Sequence, residues 1–272
     1  MIFSSIFFIL ILLIILLYLK FKNYIPILMY HRIADIPGDR NALPPNKFCE
    51  QMDYLNNNGF TTITMEMVYD FYANGKKLPR KSVLLTFDDG YMDNFTAALP
   101  ILKERNMTAA IFPISNWIGK KNKWEDFNKE QTVTMDWDQL KAWQDAGMEI
   151  ASHTANHPFL GHTSIEQTKL ELTESKEQLE KNLQCKIDFL CYPYGSFNVH
   201  TCSTAKAAGY KAAFAIFEHV SLWHIDLFAL PRIPIPSSQS IFEFKLKVSR
   251  IHVIFIAMRK WERNFKRWLR KK

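Results

Sequence analysis

The stretch Lys81-Ser82-Val83-Leu84-Leu85-Thr86-Phe87-Asp88-Asp89-Gly90-Tyr91 decides the fold. Val83, Leu84 and Leu85 form the continuous apolar run of a strand buried on both faces. The run ends in two adjacent carboxylates, which are costly in such a place unless a metal ion or a proton uses their charge. Gly90 then permits a sharp backbone turn. The pattern predicts a buried strand that delivers Asp88 and Asp89 to a site at its carboxyl end.

On either side, strand-like and helix-like segments alternate. Ile25–His31 reads as a first strand ending in a histidine, followed by a polar loop, 32–45, and a helix over Asn46–Asn57. A short strand over Phe60–Thr64 and a helix over Met65–Asn74 precede the central stretch. After it come a helix over Asn94–Arg105, with Pro100 able to kink it, and a strand over Ala109–Ile114. A long polar loop with tryptophans, 115–134, is placed over the site. Further helices are predicted over Asp136–Ala146, Ser164–Leu183 and Asn198–Ala208, and strands over Met148–Ser152, Ile187–Tyr192, Ala212–Ile216 and Phe228–Ile235. Alternation of this kind predicts an α/β fold with a parallel sheet, and seven or eight such units predict a barrel. His31, Asp88, Asp89, His153, Tyr194 and Arg232 all fall at or just after predicted strand ends, where barrel active sites gather.

Composition narrows the class. A chain of 272 residues with 48% hydrophobic content can bury one large core. Cys49, Cys185, Cys191 and Cys202 form no CxxC pair, so they read as thiols and not as a zinc knuckle or disulfide framework. The net charge is +7, but eleven Lys/Arg and only two acids lie between 243 and 272, which leaves the rest slightly acidic. A nucleic-acid binder would spread basic charge over a domain face, so no nucleic-acid partner is expected.

The ends carry two separate expectations. Ile2–Leu19 is apolar except for Ser4, Ser5 and Tyr18, long enough to span a hydrocarbon core and without a cleavage site, so 1–22 is predicted to be an uncleaved single-pass membrane anchor. The side of the membrane is left open. Residues 241–272 show apolar positions at helical spacing with arginines and lysines between them, which predicts a basic amphipathic helix suited to an anionic membrane surface. Residues 23–240 are then the body of the chain, held close to the bilayer.

His153 and His157 stand at i, i+4 within Ser152-His153-Thr154-Ala155-Asn156-His157-Pro158. Such pairs are common by chance, and acidic turns are usually solvated. Jointly, however, two imidazoles and one carboxylate make a three-ligand site with an open position for water, the catalytic form of a zinc site. A second carboxylate beside it can take that water's proton.

TFDDGY, SHTANHP and CYPYG together resemble the polysaccharide deacetylase family (NodB-homology, carbohydrate esterase family four). ILMYHRI and LPRIPI resemble its branch of poly-N-acetylglucosamine deacetylases. The resemblance runs from Ile25 to Pro236. It implies a distorted (β/α) barrel and metal-dependent removal of N-acetyl groups, as acetate, from an amino-sugar polysaccharide or a lipid-linked glycan, which the expected attachment would make membrane-proximal. It implies Asp89, His153 and His157 as ligands of a divalent ion, zinc first, and Asp88 as general base. The backbone N–H of Tyr194 in Pro193-Tyr194-Gly195 would hold the oxyanion. The family's late Leu-x-His motif is not found after Phe228; in the resembling branch the histidine of the early Met-Tyr-His strand is placed for that part, which implies His31 as general acid. Cys191 stands where the family often has an arginine paired with the base, and Arg232 is the candidate replacement. Trp137 is expected to line the sugar groove with Pro193 and Tyr194, and Trp117 and Trp124 are weaker candidates. His162, His200, His219, His224 and His252 have no matching partners and read as surface or core residues. The competing reading is an inactive barrel that binds glycan without turnover, for which the missing Leu-x-His motif is the best support.

Overall fold

The structure, a computed structural model, describes residues 15–17, 19, 21, 23–122, 132–220, 224–249 and 251–256. They fall into two compact units, Ile27–Gln239 and a second made of Met1–Pro26 with Ser240–Lys272.

The larger unit is built on β5 (Ser82–Asp89), whose eight residues are all buried. A strand buried on both faces needs apolar side chains on both, and Val83–Phe87 supply them. β5 pairs in parallel with β1 (Ile27–Tyr30) on one side and β6 (Ala110–Pro113) on the other. β4 (Thr61–Thr62) also pairs with β5. Beyond β6 lies β7 (Glu149–Ile150); beyond β1 come β10 (Leu230–Pro234), β9 (Ala212–Ile216) and β8 (Phe189–Cys191) in that order. The expected distorted barrel is realised as a curled, open parallel sheet. Its two edges approach through one bridge, Ser152 with Leu190, because β7 has only two residues of ladder to offer. A separate pair, β2 (Arg32–Ile33) with β3 (Ala42–Leu43), lies within the segment after His31.

Helices connect the strands as parallel pairing requires. α1 (Pro45–Asn57) buries Phe48, Met52 and Leu55; Phe48 packs edge-on against Tyr30 and Phe87. α2 spans Met65–Asn74. The segment before β6 is not one regular helix. Asn94–Ala98 forms a π turn, with the Leu99 N–H reaching Asn94 O, and α3 (Leu99–Glu104) follows. Pro100 lacks the N–H that an α-helical register would need there. α4 (Trp137–Asp145) begins with a reciprocal Asp136–Gln139 capping box. α5 (Ile165–Leu183) is capped by Ser164 and buries Thr168, Glu171, Leu172, Ser175, Leu179 and Leu183. α6 spans Val199–Ala207. The described part of 115–134 forms antiparallel bridges, Lys121 with Val133 and Tyr91 with Thr134, where an irregular loop was expected.

The smaller unit requires corrections. Most of the expected span Ile2–Leu19 lies outside the described residues, and among those described no helix is long and apolar enough to cross a membrane. The described residues therefore do not support the single-pass anchor, nor the membrane partner and membrane localisation inferred from it. The expected C-terminal helix, 241–272, is described only as far as 256. α7 (Ile241–Lys247), with a Ser240–Glu243 capping box, ends at Val248, and helix resumes over 251–256. The remainder, 257–272, lies outside the described residues.

Candidate active site

Parallel pairing aligns the carboxyl ends of the strands, and the site forms there. Asp88 pairs across to Phe112, Asp89 to Pro113, and Arg232 to Ile216. Gly90 (φ 73°) must be glycine, since a Cβ there would lie 3.0 Å from Cβ of Pro113.

Backbone strain concentrates at this edge. Among the described residues, seven other than glycine have positive φ, and Asp89 (70°), Thr154 (70°), His157 (64°) and Tyr194 (57°) are four of them. Each costs about 1–2 kcal/mol. Neighbouring hydrogen bonds hold these conformations. The N–H groups of Ser115 and Asn116 donate to the carbonyls of Thr154 and Ala155, and the His157 N–H donates to Thr154 Oγ1 at 3.0 Å. Ser152 Oγ accepts from the Thr154 N–H and contacts Ser175 Oγ at 2.8 Å.

Asp89 Oδ1 lies 3.5 Å from His153 Nε2 and 3.3 Å from His157 Nε2, and all three side chains are buried. His153 Nδ1 is 2.9 Å from the carbonyl of Cys191. A carbonyl only accepts, so Nδ1 carries the proton and the Nε2 lone pair faces Asp89. Burial presses His153 down to about 4, against the pull of Asp88 and the Cys191 carbonyl. Burial, with His153 as neighbour, holds His157 well below the ordinary imidazole range. Two neutral imidazoles and a carboxylate are the donors a divalent ion needs. Two bonds of about 2.0–2.1 Å at a tetrahedral angle put their ligand atoms about 3.4 Å apart, which matches the spacing here. A second group, Asp88, His153 and Cys191, also brings its ligand atoms within 4.8 Å of one another. It suits an ion less well, because Asp88 is engaged by arginine and burial pushes the Cys191 thiol up, away from the thiolate a metal requires.

Asp88 sits beside the triad. Arg232, 1% exposed, grips it through two hydrogen bonds, Nη1 to Oδ1 at 2.6 Å and Nη2 to Oδ2 at 2.8 Å. The same guanidinium donates to Cys191 Sγ at 2.8 Å and to Thr86 Oγ1 at 3.2 Å, and lies over the Phe112 ring. Burial alone would raise the Asp88 carboxyl, but the charge and hydrogen bonds of Arg232, helped by His153 and His31, hold it well below the usual carboxylate range. His31 Nε2 stands 4.0 Å from Asp88 Oδ2.

These groups open into a cavity of about 570 Å³, lined also by Arg40, Asn41, Tyr194, Gly195, Glu218 and His219. Tyr194 turns out of Pro193–Gly195; its ring packs against His157 and stacks on Phe159 with centroids 3.9 Å apart. A Cβ on Gly195 (φ 61°) would come within 2.9 Å of His219 Nδ1, which contacts the Gly195 carbonyl.

His31, Asp88, Asp89, His153, His157, Tyr194 and Arg232 are thus brought to one cavity. Pro193 is buried in the turn but does not line it, and Trp137, half-buried at the first turn of α4, lies outside the lining. Trp117 is likewise outside it, and Trp124 is outside the described residues. His219, read as a bystander from its position in the chain, lines the cavity. Sequence reasoning also missed Glu171, whose buried carboxylate accepts from the N–H groups of Ala155 and Asn156 at 3.1 and 2.8 Å. Its signal was an acid on the buried stripe of α5, next to Leu172.

The family model for polysaccharide deacetylase matches residues 75–213, half of the chain. YxkH of Bacillus subtilis (strain 168) is 31% identical over 216 residues, covering 79% of this chain and 73% of that protein. The chain belongs to the polysaccharide deacetylase family. It is also 24% identical over 253 residues to the poly-beta-1,6-N-acetyl-D-glucosamine N-deacetylase of Escherichia coli (strain K12), covering 80% of this chain but only 38% of that longer protein. The Streptococcus pyogenes deacetylase PplD, solved with acetate, superimposes with a TM-score of 0.73 at 27% identity, over 83% of this chain and 98% of that one. Fold, family and a buried Asp/His cluster able to hold a divalent ion make this polysaccharide deacetylase a metal-dependent amide hydrolase acting on amino-sugar polysaccharide.

Proposed function

We propose that the chain removes acetyl groups from N-acetylglucosamine units of a β-1,6-linked glycan, with zinc as its ion, held by Asp89, His153 and His157. The observation that carries this reading is the convergence of those three side chains with a fourth, Asp88, next to them and tied to arginine. Two imidazoles and one carboxylate are a catalytic zinc donor set that leaves a position open. When bound, such an ion supplies Lewis acidity to a water and to the acetamide carbonyl.

The chain's own groups divide the rest. Asp88 accepts the proton of the attacking water, and Arg232 orients its carboxylate. That grip weakens Asp88 as a base but keeps it ionised and fixed in direction. The Tyr194 N–H faces the oxygen on which negative charge develops as water adds to the carbonyl carbon. His31, exposed to the cavity, donates a proton to the departing nitrogen as the carbon–nitrogen bond breaks, leaving acetate and a free amino sugar. Tyr194 and Pro193 shape the sugar-binding turn. The substrate is suggested by the name of the E. coli relative.

The test is acetate release from β-1,6-linked N-acetylglucosamine oligomers by the purified full chain. We expect release that a chelator stops and added zinc restores. Stoichiometric zinc and tight oligomer binding without acetate would instead favour a glycan-binding role.

A further inference from the structure

We propose that Glu171 is a positioning residue of the metal centre: from α5 it clamps the segment between the two histidine ligands and thereby sets the affinity of the site for its ion. The inference rests on the metal-site reading above. His153 and His157 are separated by only three residues, and Thr154 and His157 both adopt left-handed backbone conformations, Thr154 despite its branched Cβ. The ligand pair can meet Asp89 only while that conformation is enforced from outside.

Glu171 is placed to enforce it. It is 3% exposed, and both carboxylate oxygens are spent on the segment between the ligands. Oε2 accepts from the N–H groups of Ala155 (3.1 Å) and Asn156 (2.8 Å), and Oε1 accepts from Asn156 Nδ2 (2.9 Å). Among the described residues no cationic side chain forms an ion pair with Glu171. A buried carboxylate satisfied by three N–H donors and no cation is an unusual use of an acid on a helix's core face. Asn116 extends the clamp: its Nδ2 donates to Asn156 Oδ1 and to Glu174, one turn along α5 from Glu171. Ser115 and Asn116 hold the Thr154 and Ala155 carbonyls from outside the helix, and Ser152 meets Ser175, which is also on α5. One helix therefore holds the segment at its His153 end, through Ser152, and at its middle, through Ala155 and Asn156. Groups that orient metal ligands in this way commonly change affinity 10–100-fold when removed.

The experiment compares full-length wild type with Glu171→Ala, Glu171→Gln and a core variant of the same helix, Leu179→Ala. Each is titrated as apo-protein with cobalt(II) and zinc(II) against a chromophoric chelator, and the visible cobalt spectrum and apo melting temperature are recorded. We expect Glu171→Ala to weaken binding of both ions by about 10–100-fold and to change the intensity of the cobalt bands. Glu171→Gln keeps a carbonyl acceptor but turns an N–H donor toward one of the segment's own donors, and should lose a measurable amount, about three- to tenfold. Leu179→Ala should lower the melting temperature while leaving affinity and spectrum intact. Wild-type affinity and spectrum in a folded Glu171→Ala protein would overturn the proposal, as would equal affinity losses in Leu179→Ala. If Glu171→Ala does not fold, Glu171→Gln decides, and wild-type affinity there counts against the clamp. Wild type that binds neither ion would instead remove the metal-site reading itself.

Discussion

At the scale of single residues, the site turns on two neighbouring aspartates in different surroundings. Asp89 faces two neutral imidazoles, and Asp88 faces a guanidinium. Strand alternation separates them, because adjacent side chains of one strand point to opposite sides, and Asp89 with φ 70° then turns its own carboxylate back to the site. Replacing Asp88 with Asn keeps the shape and removes the proposed proton acceptor. It should lower kcat by about 10²–10⁴-fold at unchanged metal content. It also leaves the buried Arg232 charge without its partner, which should cost about 3–5 kcal/mol of stability. Rates per folded molecule, with metal content and melting temperature measured on the same preparation, separate the two effects. Wild-type turnover in a metal-loaded Asp88→Asn protein would remove Asp88 as base.

At the scale of elements, α2 starts against a carboxylate from β7. The N–H of Met65 donates to Glu149 Oε2 at 2.6 Å, so Glu149 sits at the positive end of a helix. Burial nevertheless pushes it up to about 7, against the backbone hydrogen bonds from Met65 and Glu66. A carboxyl whose pKa is raised on folding binds its proton more tightly in the folded state. Its contribution is full below the unfolded value of about 4.5 and is lost as pH rises through about 7. Unfolding free energy should therefore fall by about 1–3 kcal/mol between pH 5 and pH 8 from this group, and Glu149→Gln should flatten that part of the curve. Denaturant melts of apo wild type and variant at several pH values check this, and curves of equal slope would refute it. The helices themselves were readable from their caps: Asp136 before α4, Ser164 before α5 and Asn198 before α6 each accept the hydrogen bond their position implies. The π turn at Asn94–Ala98 was less so, because Pro100 marks a disturbance without saying whether the helix kinks, stops or widens.

For the whole molecule, the proposed ligands come from β5 and from the segment after β7, parts of the chain more than sixty residues apart, so an ion held there would tie folding to metal. By mass action, an ion at a hundredfold excess over its dissociation constant adds about 2.7 kcal/mol, which is roughly 5–10 °C for a domain of this size. Calorimetric melts with and without chelator should show that shift, and equal melting temperatures would argue that Asp89, His153 and His157 hold no ion in solution. From the order of residues alone one could read the alternation of strands and helices, the buried run Val83–Phe87, and the catalytic residue types at strand ends, because periodicity and local capping are properties of neighbours in the chain. Whether the sheet closes, that Arg232 reaches Asp88 across the position of Cys191, that His219 lines the cavity while Trp137 does not, and that Glu171 meets the segment between His153 and His157 were decided only in three dimensions. Those outcomes depend on sheet register and on which side chains meet across long separations, and neither is encoded in any local pattern.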